Sequence, residues 1–548
     1  MLRPVRRFNG LFWILVTCFL TVLPFGAWAE ETVEFKKNQS GLYKDIFDQN
    51  IYYEFTHYLN LDYLCRALFM KKVRAQNVNC YDEVPDSTFF TNRHGRKKLS
   101  LAELESGHRE TPGPDLGANL TIVDGKFEGV HPGFFVLDRR GDKYLLKFDP
   151  VDYIEQATSS EVIGSRFYHA IGYNVPQYDI IVFDASKLVI GENATIVDDS
   201  GFRRKLTPEK LEEYLLFIPQ DSEGRYRASA SKILNGVNKG SFSFYGRRKN
   251  DPNDRVDHRN RREIRALQVF SSWISNYDIR ESNTLDMLEV DENGNSVLRH
   301  YLIDFNTSLG AGTSDGKPPM TTHEYLLDYG EAIKAFLTLG WWEKPWQKRW
   351  REVGEKVPQP PAVGYFDNRY FDPGRFKVQL PHHPLKDLTR ADGFWAAKII
   401  MAFSDEDIKA MVGAGKLTDP KDSAYLVDAL KERRHLIAKY WFDQANPLDA
   451  FDLKGNILSF NDLAIEYGFQ PGQGSVYNAD VFQKNGEGIK KLTTLKAQEP
   501  AIDLKNWLTE NGVVELLIRT TRPGSAKQSP SVRIQVSLKG IERIIHED

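Results

Sequence analysis

Two short stretches decide the fold that the sequence predicts, Asp278-Ile-Arg-Glu-Ser-Asn283 and Leu-Ile-Asp304-Phe-Asn. The first follows a predicted helix from about Arg261 to Ile274, in which apolar residues recur at helical spacing. The second ends a hairpin predicted over Thr284 to Ile303, with Asn-Gly as its turn. Asp304 therefore ends an apolar strand, where a lone carboxylate is costly to bury without a cation or hydrogen-bond donors. This position makes Asp304 a candidate functional residue.

Three predicted strands precede these stretches: Leu120 to Val123, Phe134 to Leu137 and Tyr144 to Phe148. Lys147 lies near the end of the third strand, and Glu161 lies on a helix predicted from about Ile154 to Ala170. A loop that contains Gly129 and Gly133 joins the first two strands. Phosphoryl transfer requires a lysine at the nucleotide phosphates, an acid that orients this lysine, metal ligands, and a carboxylate beside the attacking hydroxyl. The chain offers a candidate for each part.

The order of these residues resembles the protein-kinase-like superfamily, whose catalytic loop carries Asp and Asn at this separation and whose next strand ends in Asp-Phe-Gly. The divergent order is more similar to atypical branches, such as the HipA-like and secretory-pathway kinases. The resemblance covers residues 120–445. It implies an α+β, two-lobed kinase-like fold with an antiparallel, β-rich N-lobe and a helical C-lobe, and it implies ATP and Mg²⁺ or Mn²⁺ as cofactors.

The resemblance also assigns roles to the candidate residues. Lys147 would hold the α and β phosphates, Glu161 would fix Lys147, and Asp278 would be the catalytic base. The implied metal ligands are Asn283 and Asp304, and the implied nucleotide-binding residues are Gly129, Gly133 and Lys147. The sequence departs from the family pattern in three places: no His-Arg precedes Asp278, the metal motif is Asp-Phe-Asn, and the glycine loop lacks a three-glycine pattern.

The residues alone leave other interpretations open. Lys147 and Glu161 could form a solvated ion pair of little energetic value. Asp278 and Asn283 could simply shape a turn, because both residue types bond to their own backbone. With the kinase-like resemblance, the sequence predicts an ATP-dependent phosphotransferase with an unknown acceptor, and two alternative functions remain. These are a nucleotidyl (AMP) transferase on the same fold, and an inactive pseudokinase or cell-envelope binding protein.

The N-terminus predicts export. Arg3, Arg6 and Arg7 precede an apolar run from Leu11 to Phe25, and small residues follow it, which is typical of a cleavable secretory signal. The predicted location is the periplasm or the medium, with no transmembrane segment after cleavage. The predicted domains are a signal peptide (1–29), an N-terminal extension (30–115), an N-lobe (116–235), a C-lobe (236–445) and a small β-rich C-terminal domain (446–548).

The net charge and the cysteine content bear on the expected binding partners and on a possible disulfide. The net charge of −3 does not favour nucleic-acid binding, so the expected partners are ATP and a protein, glycan or small-molecule acceptor. Cys65 and Cys80 could form a disulfide or remain two unrelated buried thiols.

Two further patterns have competing interpretations. The first is a basic stretch, expected to be a solvated face but able to contact phosphate or an acidic acceptor. It comprises Arg247, Arg248, Lys249, Arg255, Arg259, Arg261, Arg262 and Arg265. The second is a set of tryptophans, expected to be buried core residues because their spacing is helical, although they could stack on sugars. These are Trp341, Trp342, Trp346 and Trp350.

Overall fold

The computed structural model describes residues 35–38, 41–59, 72–126, 132–197, 202–312, 316, 321–353, 360, 362–369, 371–485, 488–509, 512–525 and 527–548. These residues form a mixed α+β fold. The predicted signal peptide, Cys65 and Gly129 lie outside them. Over the described ranges, we find no helix with both the length and the apolar character that crossing a membrane requires.

The helices lie mostly in the middle of the chain. They are Leu42–Phe47 (α1), Tyr53–Leu59 (α2), Leu101–Ser106 (α3), Gln156–Ile171 (α4), Pro208–Leu215 (α5), Arg262–Ile274 (α6), Tyr329–Leu337 (α7), Pro345–Val353 (α8), His383–Lys386 (α9), Arg390–Met401 (α10), Asp405–Gly413 (α11), Pro420–Gln444 (α12) and Leu463–Glu466 (α13). A π-helical turn, Asp48–Tyr52, joins α1 to α2.

The strands fall into two groups. Those before the hairpin are Leu120–Gly125 (β1), Gly133–Leu137 (β2), Lys143–Phe148 (β3), Tyr178–Phe183 (β4), Leu188–Ile190 (β5), Thr195–Val197 (β6), Arg203–Lys205 (β7), Tyr226–Lys232 (β8) and Val237–Asn238 (β9). The hairpin and the C-terminal strands are Thr284–Val290 (β10), Ser296–Leu302 (β11), Leu448–Lys454 (β12), Ile457–Asp462 (β13), Val476–Asn485 (β14), Gly488–Ala497 (β15), Ala501–Asp503 (β16), Val514–Thr521 (β17), Val532–Ser537 (β18) and Gly540–His546 (β19).

The largest sheet has the strand order β4-β8-β3-β2-β1-β5, and only its β1–β5 pair is parallel. One face of this sheet packs against α5, where Phe134 and Leu146 share a buried cluster with Leu211. Successive residues of a strand face opposite sides of a sheet. Lys147 therefore lies on the other face, where its ammonium meets α4.

The helical core joins α4, α6, α10 and α12. Phe167 packs edge-on against Trp273, with ring centroids 4.7 Å apart. The indole of Trp273 donates to the carbonyl of Leu430 at 3.0 Å. Trp395 belongs to the same buried cluster. This core fixes α6, the helix from which the Asp278 loop starts.

The C-terminal strands form a three-stranded sheet, β12-β13-β16, and a five-stranded sheet, β15-β14-β17-β18-β19. Burial alternates strictly along β17, because one face of that strand packs on the core that Leu516 and Ile534 share. The strands predicted near residues 513 and 532 are therefore present.

Several details differ from the sequence predictions. The helix near Glu161 begins at Gln156 rather than Ile154, which is 41% exposed. Cys80 is exposed, not buried. Trp341 is 90% exposed, so the prediction that it is a buried core residue is wrong. It lies in the connection between α7 and α8, where helical spacing does not apply.

The other tryptophans behave differently. Trp342 and Trp346 are partly buried. The indole of Trp342 donates to Glu331 at 2.7 Å, and that of Trp346 donates to Glu324. The side chain of Trp350 lies outside the described residues.

The end of the basic stretch is buried, so the solvated-face prediction is wrong there. Arg262 Nε donates to Asp392 Oδ1 at 2.9 Å, and Arg262 Nη2 pairs with Asp82 Oδ1 at 2.8 Å. Arg265 Nη1 donates to Asp392 Oδ2 at 3.2 Å. His546 N donates to Asp82 Oδ2 at 2.9 Å. These carboxylates neutralise the arginines, and they tie α6 to α10, to the N-terminal extension and to β19.

Removing Asp392 should destabilise the protein strongly. In Asp392→Ala, two buried guanidinium groups lose a carboxylate, and we expect the free energy of unfolding to fall by roughly 3–5 kcal/mol. Urea denaturation followed by circular dichroism measures this change. The control is Asp443→Ala, which removes an exposed ion pair with Lys439 and should change stability by less than about 1 kcal/mol. Equal losses in the two variants would contradict this account of the buried network.

Candidate functional site

The ammonium of Lys147 lies between two carboxylates. Its Nζ donates to Glu161 Oε1 at 2.6 Å and to Asp304 Oδ1 at 3.0 Å. The Lys147 side chain is 8% exposed and that of Glu161 is 1% exposed, whereas that of Asp304 is 30% exposed. The interpretation of Lys147 and Glu161 as a solvated pair is therefore wrong, because the pair is buried. Only the Asp304 end of this triad opens to solvent.

Packing around Glu161 brings α4 close to the Asp304 segment. Glu161 Oε2 accepts a hydrogen bond from Ser229 Oγ on β8 at 2.9 Å. One turn further along α4, Gly164 lies against Phe305, so that a Cβ added to Gly164 would lie 2.9 Å from the Phe305 Cβ. A glycine at this position therefore lets the residue after Asp304 approach the helix that carries Glu161.

Asp304 adopts a backbone conformation that is uncommon for residues other than glycine. Its φ is +62°, in the left-handed region. Its backbone N–H donates to the Tyr178 hydroxyl at 3.4 Å. Non-glycine residues held in this region cluster at functional sites, because the surrounding structure must impose the conformation.

Asp278 and Asn283 lie in one hydrogen-bonded loop. Asn283 Nδ2 donates to the Asp278 carbonyl at 2.8 Å and to Asp278 Oδ2 at 3.1 Å. The Ile303 N–H donates to the Asn283 carbonyl at 3.0 Å, which joins this loop to the residue before Asp304. Hydrogen bonds thus connect the segments that carry these residues, which are Lys147, Glu161, Asp278, Asn283 and Asp304.

Burial and neighbouring charges shift the pKa values of this region. Burial alone would lower the pKa of Lys147, but the carboxylates of Asp304 and Glu161 outweigh it and raise that pKa well above its usual value. Burial raises the pKa of Glu161, against the influence of the Lys147 ammonium. Burial also raises the pKa of Asp278 to about 7, with Arg280 lowering it and the Asp304 charge raising it. A carboxylate with a pKa near neutrality suits proton transfer near neutral pH.

Arg280 is a site residue that sequence reasoning missed. Its Nη1 pairs with Asp278 Oδ1 at 2.8 Å, and its Nε donates to Asn283 Oδ1 at 3.3 Å. One guanidinium therefore contacts both of the loop side chains that the sequence analysis identified as candidates. Its position inside the stretch from Asp278 to Asn283 was the available signal.

A second missed residue, Asp149, fixes the start of α4. Its oxygens accept from the Thr158 N–H at 2.8 Å, from the Thr158 hydroxyl at 2.8 Å and from the Glu155 N–H at 3.0 Å. Burial raises its pKa to about 6, although these donors oppose the shift. By satisfying free N–H groups near the helix start, Asp149 sets the position of the helix that carries Glu161.

The glycine loop is described only at its end. Gly133 opens β2, where a Cβ would collide with the Leu146 carbonyl oxygen, so strand pairing requires a residue without a side chain. Its N–H donates to the Tyr214 hydroxyl of α5 at 3.0 Å. Gly129 lies outside the described residues, and its predicted role stays a prediction.

The oxygen donors of Asp304 and Asn283 fit a divalent metal that arrives with a nucleotide. Among the residues that the structure describes, no group of three or more His, Cys, Asp or Glu side chains could hold a metal ion. Mg²⁺ is usually bound by one or two carboxylates together with substrate phosphates rather than by a protein cage. Asp304 supplies a partly exposed carboxylate, and the bond from the Ile303 N–H to the Asn283 carbonyl connects its segment to the loop that carries the Asn283 amide.

Comparison with known proteins gives matches only among solved structures. No protein-family model matches the chain, and no curated protein matches it. The Helicobacter pylori proinflammatory kinase CtkA is 10% identical, with a TM-score of 0.31, and the match covers 59% of this chain and 96% of CtkA.

The Golgi casein kinase is a second similar structure. It is 11% identical with a TM-score of 0.26, and the match covers 74% of this chain and 94% of that kinase. A form of it with Mn/ADP bound matches over 62% of this chain and 74% of its own, at the same identity and TM-score. Both of these proteins are kinases. TM-scores of this size carry no argument about function, which depends on the geometry of the site itself.

Proposed function

We propose that the protein is an exported phosphotransferase with a two-lobed, kinase-like fold that uses ATP and Mg²⁺ or Mn²⁺. The observation that carries this proposal is the buried Lys147 ammonium, held 2.6 Å from Glu161 and 3.0 Å from Asp304. A lysine oriented by a helix carboxylate and placed beside a partly exposed carboxylate is the arrangement that binding of nucleotide phosphates requires.

In this proposal each side chain has one task. Lys147 binds phosphate oxygens of ATP, and Glu161 orients it from α4. Asp304 and Asn283 would hold the divalent metal. When bound, the metal neutralises charge on the phosphate oxygens. Arg280 keeps Asp278 and Asn283 in register through its contacts with both.

Asp278 is the proposed base. It accepts the proton of the acceptor hydroxyl while the hydroxyl oxygen bonds to the γ-phosphorus, and the bond from that phosphorus to the bridging oxygen of ADP breaks. The pKa of about 7 makes Asp278 a stronger base than an exposed carboxylate. The acceptor is a hydroxyl group on a protein, glycan or small molecule.

Export is proposed from the sequence pattern of residues 1–29, which predicts a periplasmic or secreted protein. In that compartment the acceptor would lie outside the cytoplasm.

Holding Asp278 in this site should cost stability at high pH. Since burial raises its pKa from 3.8 to about 7, the folded state binds the proton more tightly, and stability falls as pH rises through this window. Asp278→Asn removes the charge. The difference in unfolding free energy between this variant and the wild type should therefore be more favourable to the variant at pH 8 than at pH 5, by roughly 2–3 kcal/mol. Urea denaturation at both pH values, without nucleotide or metal, measures the gain.

The matched control for this experiment is Asp452→Asn, whose side chain is 51% exposed and pairs with Lys454. It should show the same small difference from the wild type at both pH values. If the gain in unfolding free energy of Asp278→Asn does not change with pH, the pKa of the Asp278 carboxyl is not raised.

Nucleotide binding should depend on Lys147. ATP with Mg²⁺ or Mn²⁺ at 100 times the dissociation constant should stabilise the wild type by about 2.7 kcal/mol, seen as a rise in Tm. Lys147→Ala and Asp304→Asn should lose this rise. Lys143→Ala, an exposed position at the start of the same strand, should keep it. An equal rise in wild type and Lys147→Ala would mean that nucleotide binds elsewhere.

Products of ATP turnover test which bond breaks. Phosphoryl transfer to water or to an acceptor releases ADP, whereas nucleotidyl transfer releases pyrophosphate. We expect ADP from the wild type, and a loss of roughly 10²- to 10⁴-fold in Asp278→Asn. Chromatography of ATP labelled at the α or the γ phosphate separates these outcomes. Pyrophosphate release would identify a nucleotidyl transferase, and a Tm rise without either product would identify a binding protein.

A further inference from the structure

The N-terminal helical segment, residues 41–59, packs beside the loop that carries Asp278. The Tyr53 ring stacks on Tyr245 with centroids 4.0 Å apart and planes 15° apart, and the Tyr245 hydroxyl donates to Gln49 Oε1 at 2.9 Å. Glu54 pairs with Lys386 of α9 at 2.5 Å. These contacts hold the segment against Tyr245 and α9.

One residue of this segment reaches the loop itself. Asp45 is 1% exposed, and its Oδ2 accepts a hydrogen bond from the Ser282 N–H at 2.7 Å. Ser282 directly precedes Asn283, in a short 3-10 turn from Glu281 to Asn283. A carboxylate from the N-terminal segment thus holds the peptide that leads into a proposed metal ligand.

The same turn is held from its other side by the body of the protein. Glu281 Oε1 accepts from the Ser243 hydroxyl at 2.9 Å and from the Phe244 N–H at 2.8 Å. Glu281 therefore anchors the start of the turn, and Asp45 anchors its middle. The charged neighbours of Asp45 include Glu281, Lys44 and Asp278, whose pKa the Asp45 charge helps to raise. Lys44 also pairs with Asp48 at 3.1 Å.

We propose that Asp45 is a positioning residue of the catalytic loop, so that the N-terminal segment completes the active site. This inference rests on the proposed phosphotransferase function. The Ser282 peptide, fixed by Asp45, sets where Asn283 lies, and Asn283 in turn binds the carbonyl and carboxylate of Asp278. Displacement of groups by about 1 Å can lower a rate by about 100-fold. Among the described residues, no hydrogen bond or ion pair joins Asp45 to Lys147 or Glu161. Nucleotide affinity should therefore depend on Asp45 only through the position of Asn283, the proposed metal ligand.

Three substitutions at Asp45 separate placement from charge. Asp45→Asn keeps an acceptor oxygen at the same position, and we expect its kcat within about threefold of the wild type. Asp45→Ala removes the acceptor, and its kcat should fall by roughly 10- to 100-fold, while its KM for ATP should rise by a smaller factor because Lys147 and Glu161 keep their positions. Asp45→Glu keeps the charge but moves the carboxylate by one methylene, so its kcat should fall below that of Asp45→Asn. Asp48→Ala, a partly exposed position on the same segment, should match the wild type.

Kinetics of ADP release and hydrogen exchange of the Ser282 amide are measured on the same full-length proteins. Faster exchange at Ser282 in Asp45→Ala, together with the loss in kcat and its recovery in Asp45→Asn, supports the inference. Unchanged kcat in folded Asp45→Ala, or wild-type kcat in Asp45→Glu with a loss in Asp45→Asn, overturns it. If Asp45→Ala does not fold, the inference is tested by comparing the kcat of Asp45→Asn with that of Asp45→Glu.

Failure of the proposed function is distinguishable from failure of this inference. If the wild type releases no ADP, the proposed phosphotransferase function is contradicted, and so is the role of Asp45 in catalysis. An active wild type whose Asp45 variants are equally active removes only the role of the N-terminal segment.

Discussion

Burying the Lys147 ammonium is the constraint on which the site depends. A cation on the inner face of a sheet is stable only if carboxylates surround it, and the chain supplies these from two different elements. Glu161 lies on α4, and Asp304 follows the hairpin that ends at Leu302. The Lys147 ammonium therefore links β3 to α4 and to the segment that follows β11.

The same requirement operates in a second place, away from the site. Arg262 and Arg265 on α6 are both 1% exposed, and the two oxygens of Asp392 serve both of them. Because α6 leads directly into the Asp278 loop, this network fixes the start of that loop, whereas the Lys147 triad fixes the Asp304 segment. Buried ion pairs of this kind lose much of their Coulomb energy to desolvation, so their main effect is to specify which elements meet.

Local patterns in the sequence predicted much of the fold. Strand alternation and helical spacing located β1 to β4, α4, α6 and the hairpin to within a few residues, because these signals depend only on neighbours along the chain. Asp278, Asn283 and Asp304 were identified as candidates from their order along the chain, which resembles the kinase-like pattern. Asp45 was not, because its partner Ser282 lies 237 positions away and no periodicity connects them. Arg262 was misread as solvated because its partners, Asp82 and Asp392, lie 180 and 130 positions from it. Trp341 was misread because its spacing continued that of a helix that had already ended.

The bond between His546 and Asp82 joins residues 464 positions apart, and the Ile544 N–H donates to the Cys80 carbonyl at 2.7 Å in the same region. A polypeptide that emerges in linear order can close this contact only after nearly all of the intervening chain has appeared. Until then, the Asp82 carboxylate lacks the hydrogen-bond donors of β19, and the network that joins Asp82 to α6 and β19 is incomplete. Long-range closure of this kind slows folding more than it lowers final stability. Proteases or chaperones that meet the emerging chain would therefore encounter its early segments before they are locked in place.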